Sequence, residues 1–167
     1  PSQVLVTNKI INLIKEKESK NENVNIEEIL KEANEYAKDN VKIGFALKSL
    51  KNLANNGRIN KAAATIASAL NICVVGIFDG KELLPTAKCR GDQKTITNIL
   101  LNIYKDGYNG GKMIIDHCNG LSEATRLKEE ILEKYPTADI KIGTTSGLCS
   151  YYVEDGGIIY SYEVLKD

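Results

Sequence analysis

Apolar residues recur at helical spacing in two segments near the start of the chain. Between residues 4 and 14 they fall every three or four positions, ahead of a charged run at 15–20, which predicts an amphipathic helix. Asn25 and Glu28 resemble a capping box and predict the start of a second helix. The predicted apolar face of that helix consists of Ile26, Ile29, Leu30, Ala33, Tyr36 and Ala37. Alternation over residues 41–47 is typical of a half-buried strand.

The next apolar segments predict a β-hairpin and a helix. Asp79-Gly80 separates residues 73–78 from residues 82–88, and this dipeptide between two apolar runs is a strong hairpin signal. Pro85 makes the second strand an edge strand or a bulged one, because proline cannot donate to a ladder. Asp92 is expected to cap the following helix.

The last third of the chain predicts a strand–helix–strand unit. Its strands are residues 113–118 and 138–143, and its helix is expected to be capped by Ser122 and to end before Pro136. Residues 144–157 are then expected to form a long polar and aromatic loop before a final strand at 158–164. Together these elements predict an α/β fold with a mixed β-sheet flanked by helices.

Length and charge restrict what the chain can be. The 167 residues suit one domain, and 22 basic residues balance 22 acidic residues. A neutral surface argues against general nucleic-acid binding, which needs a basic footprint. No stretch approaches the roughly 18 apolar residues of a membrane span. Four cysteines without paired spacing predict a reducing cytoplasm and no zinc site. Neither a metal nor a cofactor is expected. Pro1 is not an initiator residue, so we expect a piece of a longer protein.

The segment after Asn56-Gly57 is the first candidate for chemistry. Asn60 is expected to cap a helix that starts at Lys61 and runs through small residues to 70. A helix N-terminus beside Arg58 and Lys61 suits a carboxylate or a phosphate. The simpler interpretation is a common connection in which Arg58 pairs with a nearby carboxylate.

Three other sites have a structural interpretation beside the functional one. His117 and Cys118 point to opposite faces of a strand, so we expect a buried structural cysteine and a surface or interface histidine rather than a catalytic pair. The loop at 144–157, with Cys149 in it, is either a ligand entrance or a set of satisfied polar groups. The corner at 88–90, with Lys94, is either a docking patch or a solvated surface.

Several segments together resemble the DegV family of bacterial fatty-acid-binding proteins. The matching stretches are residues 45–59 (Phe-Ala-Leu-Lys-Ser-Leu-Lys-Asn-Leu-Ala-Asn-Asn-Gly-Arg-Ile), 70–72 (Leu-Asn-Ile), 79–81 (Asp-Gly-Lys), 88–91 (Lys-Cys-Arg-Gly) and 140–143 (Ile-Lys-Ile-Gly). The resemblance covers the whole chain but only the second half of a two-lobed architecture. It implies that residues 1–167 form a single lipid-binding C-terminal lobe whose N-terminal lobe is missing from this chain.

The resemblance also implies roles for individual residues. Arg58, with Cys149 and Ser150, is expected near the lipid head group. Cys149 stands where many members have a histidine, and the Gly-Pro-Gly that usually follows is replaced by residues 151–153. The residues expected to line the acyl chain are Phe45, Leu47, Ile66, Leu70, Ile72 and Val74. Arg90 and Lys88 are expected at a corner that docks a partner.

The function expected from these observations is a non-enzymatic carrier of long-chain fatty acids. The family resemblance adds a fatty-acid kinase subunit as a partner to which the bound acid is presented. The alternative is an enzyme that uses the Arg58–Lys61 turn to bind a phosphate or carboxylate on a small substrate. A third possibility is an isolated interaction module that uses the corner at Arg90.

Overall fold

The structure is a computed structural model that describes residues 1–59 and 72–165. The predicted cap at Asn60, the helix from Lys61 to residue 70, and the acyl-lining positions Ile66 and Leu70 lie outside these residues. In chain order the described helices are α1 (Ser2–Ser19), α2 (Ile26–Asp39), α3 (Lys51–Asn55), α4 (Asp92–Lys105), α5 (Leu121–Lys134) and α6 (Gly147–Val153). The described strands are β1 (Val41–Leu47), β2 (Ile72–Phe78), β3 (Leu83–Arg90), β4 (Met113–Cys118), β5 (Ile140–Thr144) and β6 (Gly157–Glu163).

The described strands form one mixed sheet in the order β3-β2-β1-β6-β4-β5. The β2–β3 hairpin is antiparallel, and its register shifts between Val75 and Gly76, opposite Pro85. This confirms both features expected from the proline, since β3 is an edge strand and the ladder is irregular beside it. β4 and β5 are parallel, as expected for a strand–helix–strand unit. The final strand β6 inserts between β1 and β4, antiparallel to both.

Helices cover both faces of this sheet. On one face α4 and α5 pack over the largest core cluster, which includes the fully buried Ile99, Leu127 and Tyr160. On the other face α1 and α2 cover one end, where Leu5 and Tyr36 pack on Ile114. The remaining helices α3 and α6 cover the other end of that face. None of the described helices is long and apolar enough to cross a bilayer.

Both helix caps predicted in the second half of the chain were wrong by one or two positions. Gly91 precedes α4 with a φ of 85°, so Asp92 is the first helical residue rather than the cap. Gly120 precedes α5, which places Ser122 inside the first turn. The predicted cap of α2 is confirmed, because the Asn25 side chain accepts a hydrogen bond from the Glu27 N–H at 3.0 Å.

Three expectations about burial and loop structure were also wrong. Ile26 and Leu30 of α2 are 68% and 50% exposed, because the helix buries only the narrow stripe of Ile29, Ala33 and Tyr36. His117 is buried and Cys118 half-buried, the reverse of the expectation. The predicted loop at 144–157 contains the helix α6.

Candidate functional site

The turn that carries Arg58 is built by the end of α3. The Gly57 N–H donates to the Ala54 carbonyl at 3.1 Å, and the Arg58 N–H donates to the Leu53 carbonyl at 2.8 Å. These two bonds form a Schellman motif, in which the residue after the C-cap takes a left-handed conformation. Gly57 has a φ of 65°, so the predicted Asn-Gly turn is the end of a helix, and only its glycine has a positive φ.

The helix α3 is held in place by α6. Glu154 Oε1 accepts a hydrogen bond from the Asn52 N–H at 2.9 Å, and Asn52 Nδ2 donates to the Tyr151 carbonyl at 2.8 Å. Asn56 Nδ2 donates to the Tyr151 hydroxyl at 3.1 Å. The carboxylate therefore satisfies an N–H in the first turn of α3, where the helix dipole favours negative charge. The Arg58 turn is fixed from both ends of a five-residue helix.

A cavity of about 660 Å³ lies between this turn, α6 and the β2–β3 hairpin. We call it the Arg58 cavity. Its lining residues are Leu53, Gly57, Arg58, Ile59, Phe78, Lys81, Glu82, Leu83, Cys149, Tyr152, Val153 and Ile159. Most of these side chains are apolar. The charged groups Arg58, Lys81 and Glu82 are all exposed, and among the described residues Arg58 forms no salt bridge.

The hairpin side of the cavity is shaped by Asp79. Its Oδ1 accepts hydrogen bonds from the N–H groups of Lys81 and Glu82 at 2.8 and 2.9 Å. These donors, that of Glu82 foremost, hold the pKa of Asp79 below its usual value. The Asx turn fixes the backbone that presents Lys81 and Glu82 to the cavity.

The residues predicted for the head group are only partly brought together. Arg58 and Cys149 line the same cavity although 91 positions separate them in sequence. Ser150 does not line it, and its Oγ lies 2.9 Å from the Thr145 hydroxyl oxygen. Phe78, Lys81 and Leu83 were missed by the sequence analysis, although Phe78 ends an apolar run directly before the Asp79-Gly80 turn. Tyr152 lies in the segment 144–157, for which a ligand entrance was one of the two interpretations.

The residues predicted to line an acyl chain lie in two different places. Phe45, Leu47 and Val74 are at most 3% exposed and belong to the cluster that also contains Leu53 and Val153 of the cavity wall. They form the packed layer beneath the Arg58 cavity rather than its surface. Ile72 lines a separate cavity of about 370 Å³ together with Arg90.

Two further surfaces bear on the predictions. A groove of about 930 Å³ between α1, α2 and the ends of β1 and β2 shares Phe78 with the Arg58 cavity. At the predicted docking corner Lys88, Arg90 and Lys94 are exposed, whereas Cys89 is buried. Within the described ranges, no three His, Cys, Asp or Glu side chains are placed to share a metal ion.

This fold and site define an α/β lobe with an apolar cavity that is entered beside exposed cationic side chains. The family model described as "Uncharacterised protein, DegV family" matches residues 4–163. The chain belongs to the DegV family, which confirms the resemblance read from its sequence.

Relatives in sequence and in structure agree with this assignment. DegV domain-containing proteins of Streptococcus pyogenes are 37% identical over 142 residues, which cover 84% of this chain and 50% of theirs. A DegV family protein from Eubacterium eligens loaded with heptadecanoic acid matches with a TM-score of 0.90 and 34% identity, over 99% of this chain and 58% of that one.

A third match is the Streptococcus pneumoniae Fatty Acid Kinase (Fak) B3 protein loaded with linoleic acid. Its TM-score is 0.87 at 34% identity, over 96% of this chain and 55% of that one. The chain therefore spans about half the length of the relatives that it matches. The expected fold, a mixed sheet flanked by helices that is similar to part of a longer DegV protein, is confirmed.

Proposed function

We propose that this chain is the C-terminal lobe of a fatty-acid-binding protein and holds the carboxylate of a long-chain fatty acid beside Arg58. The observation that carries the proposal is the position of Arg58 on the rim of a mostly apolar cavity, without a carboxylate partner among the described residues. Two solved relatives of 34% identity, loaded with heptadecanoic acid and with linoleic acid, support the ligand class.

The apolar wall and the cationic rim of the cavity contribute to binding in different ways. Each buried methylene contributes about 0.8 kcal/mol, so an acyl chain provides affinity wherever it leaves water. A carboxylate requires hydrogen-bond donors, because a buried charge without partners is costly. In our proposal Arg58 meets the carboxylate, Lys81 adds to the positive potential, and the chain runs along the apolar wall towards Phe78. Cys149 lies at the same rim and contacts the head group.

The proposal includes a role as a carrier rather than an enzyme. The bound acid is presented to a separate kinase subunit, with Arg90 and Lys88 as part of the docking surface. Their exposure on the edge strand and the relationship to the pneumococcal Fatty Acid Kinase (Fak) B3 protein support this part. The alternative, an enzyme with a phosphate or carboxylate cradle at Arg58 and Lys61, receives less support, because most of the Arg58 cavity wall is apolar.

A titration with a fatty acid and its neutral ester tests the proposal. Palmitate and methyl palmitate are titrated, by a fluorescence displacement assay, into the unaltered chain, the Arg58→Ala variant and the Arg126→Ala variant. Arg126 lies on α5 beside Gln93, outside the cavity lining, and provides a matched loss of charge.

We expect palmitate binding to weaken about fivefold in Arg58→Ala, because an exposed ion pair contributes about 1 kcal/mol. Palmitate binding should be unchanged in Arg126→Ala. Methyl palmitate should bind both variants like the unaltered chain. Binding of neither compound to any of the three proteins would contradict the proposed function. If Arg58→Ala weakens binding of the acid and the ester equally, Arg58 does not contact the carboxylate, although the chain binds lipid.

A further inference from the structure

Cys73 on β2 and Cys89 on β3 face each other across the outermost strand pair of the sheet. They are Cα partners in the antiparallel register, and their side chains are 8% and 2% exposed. Directly opposed residues of antiparallel strands have Cα atoms about 4.5–5.5 Å apart and project to the same face. Disulfide bonds join residues with Cα atoms about 4.4–6.8 Å apart, so a disulfide fits here without a change of strand pairing.

Burial and a neighbouring side chain set the pKa values of the two thiols. Burial raises the pKa of the Cys73 thiol to about 11 and also raises that of Cys89. The nearby Thr95 hydroxyl, which donates to the Gly91 carbonyl at 3.1 Å, acts on the pKa of each thiol in the opposite direction.

One of the two thiols is reachable from solvent. Cys73 lines the cavity of about 370 Å³ that also contains Lys48 and Arg90, whereas Cys89 does not line it. Lys48 pairs with Glu123 at 2.6 Å, while Arg90 is exposed and forms no salt bridge among the described residues. Asp92 lines the same cavity, so the charges of Lys48 and Arg90 are matched by those of Glu123 and Asp92. The cavity therefore gives a small disulfide reagent a path to Cys73 without selecting it by charge.

We infer that Cys73 and Cys89 form a dithiol site that reacts with a small organic disulfide and closes into an intramolecular disulfide. The Cys73 thiolate attacks one sulfur of the reagent, forms a mixed disulfide, and expels one thiolate, which takes up a proton. The Cys89 thiolate then attacks the Cys73 sulfur and expels the second thiol of the reagent. Two protein thiols are oxidised, one reagent disulfide is reduced to two thiols, and both protein protons leave with them.

The experiment uses the full chain with Cys118→Ser and Cys149→Ser, so that only the two β-strand cysteines remain. The folded protein is incubated with glutathione disulfide, and its intact mass is followed. We expect the loss of two hydrogen atoms with no glutathione retained, and a Tm that rises by roughly 5–10 °C and returns on reduction. Below the pKa of Cys73 the rate should rise about tenfold per pH unit, since only the thiolate reacts.

Two further single variants in this background identify the entry point. With Cys89→Ser, glutathione should remain attached to Cys73; with Cys73→Ser, the folded chain should stay unmodified. Glutathione that persists on Cys73 while Cys89 is present would overturn the inference, as would a folded chain that reacts only after denaturation. If a variant fails to fold, peptide mapping of the oxidised chain without substitutions tests the inference instead. A peptide cross-linked between Cys73 and Cys89 supports the inference, and its absence overturns it.

Discussion

Glu154 accepts a hydrogen bond from the backbone N–H of Asn52 at 2.9 Å, and so joins the end of α6 to the first turn of α3. Glu154 has a φ of 57°, a left-handed conformation that is unfavourable for a residue with a side chain. The bond therefore compensates for local backbone strain and fixes the helix that ends at Arg58. The Arg58 cavity depends on this link between two distant segments of the chain.

Removing the carboxylate should loosen α3. We expect Glu154→Ala to lower the free energy of unfolding by about 1–2 kcal/mol, because a part-buried N–H loses a charged acceptor. Glu154→Gln should lose less, since its amide oxygen still accepts. Urea denaturation measures both, with Glu129→Ala, an exposed position on α5, as the control. A Glu154→Ala variant as stable as that control would contradict the role of this bond.

Gly57 is required for its backbone conformation and not for space. A Cβ at this position would meet nothing within 4 Å, but the φ of 65° is left-handed. We expect Gly57→Ala to cost about 1 kcal/mol of unfolding free energy and Gly57→Asn clearly less, because asparagine tolerates this region. Chemical denaturation of the two variants checks the order. Equal stability of all three proteins would show that the turn is not held in this conformation.

Asp79 should make the stability of the fold depend on pH. Its pKa is lowered in the folded state by the N–H groups of Glu82 and Lys81. A lowered carboxyl pKa stabilises the fold above the pKa of the unfolded chain, near 4, and this stabilisation disappears as the pH falls through the folded-state pKa.

Asp79→Asn should therefore be less stable than the unaltered chain at pH 7, and the difference should shrink between about pH 4 and pH 2. Urea unfolding at a series of pH values measures this difference, with Glu133→Gln, exposed on α5, as the control. A difference that stays constant from pH 7 to pH 2 would argue against the hydrogen-bonded carboxylate.

Phe78 is shared by the Arg58 cavity and the larger groove beside α1 and α2. If an acyl chain crosses from one to the other, the size of this side chain sets the length that fits. We expect Phe78→Ala to improve binding of octadecanoate relative to dodecanoate, and Phe78→Trp to reduce it. Native mass spectrometry of the variants with an equimolar mixture of both acids reports the ratio. Leu101→Ala, on the exposed surface of α4, is the control. The same ratio of the two acids in all proteins would show that the acyl chain does not pass Phe78.

Much of the fold could be predicted from local patterns. The Asp79-Gly80 hairpin and the strand–helix–strand unit from Met113 to Thr144 depend on neighbouring residues, and both are present. The position of β6 between β1 and β4 could not be predicted, because it depends on pairing between distant strands. The helix α6 was missed for a related reason, since its glycine, serine and tyrosines favour helix weakly and its contacts with α3 stabilise it.

In the candidate site, too, local features could be predicted from the sequence and contacts between distant segments could not. Arg58 was found from a turn signal that is local, whereas its proximity to Cys149 arises from the packing of α3 against α6. The exchange of roles between His117 and Cys118 has a simple cause. Met113, Ile115 and His117 share one face of β4, and because helices cover both faces of the sheet, alternation along the strand carries no information on exposure.

The central claim, that Arg58 neutralises the carboxylate of a bound fatty acid, is tested most directly by carbon-13 NMR of palmitate labelled at its carboxyl carbon. The carboxyl resonance is titrated with pH in complexes with the unaltered chain and with Arg58→Lys and Arg58→Ala. We expect the pKa of the bound acid to be lowest with Arg58, intermediate with lysine and highest with alanine, because a nearby cation favours the ionised form. The same pKa in all three complexes would contradict the account.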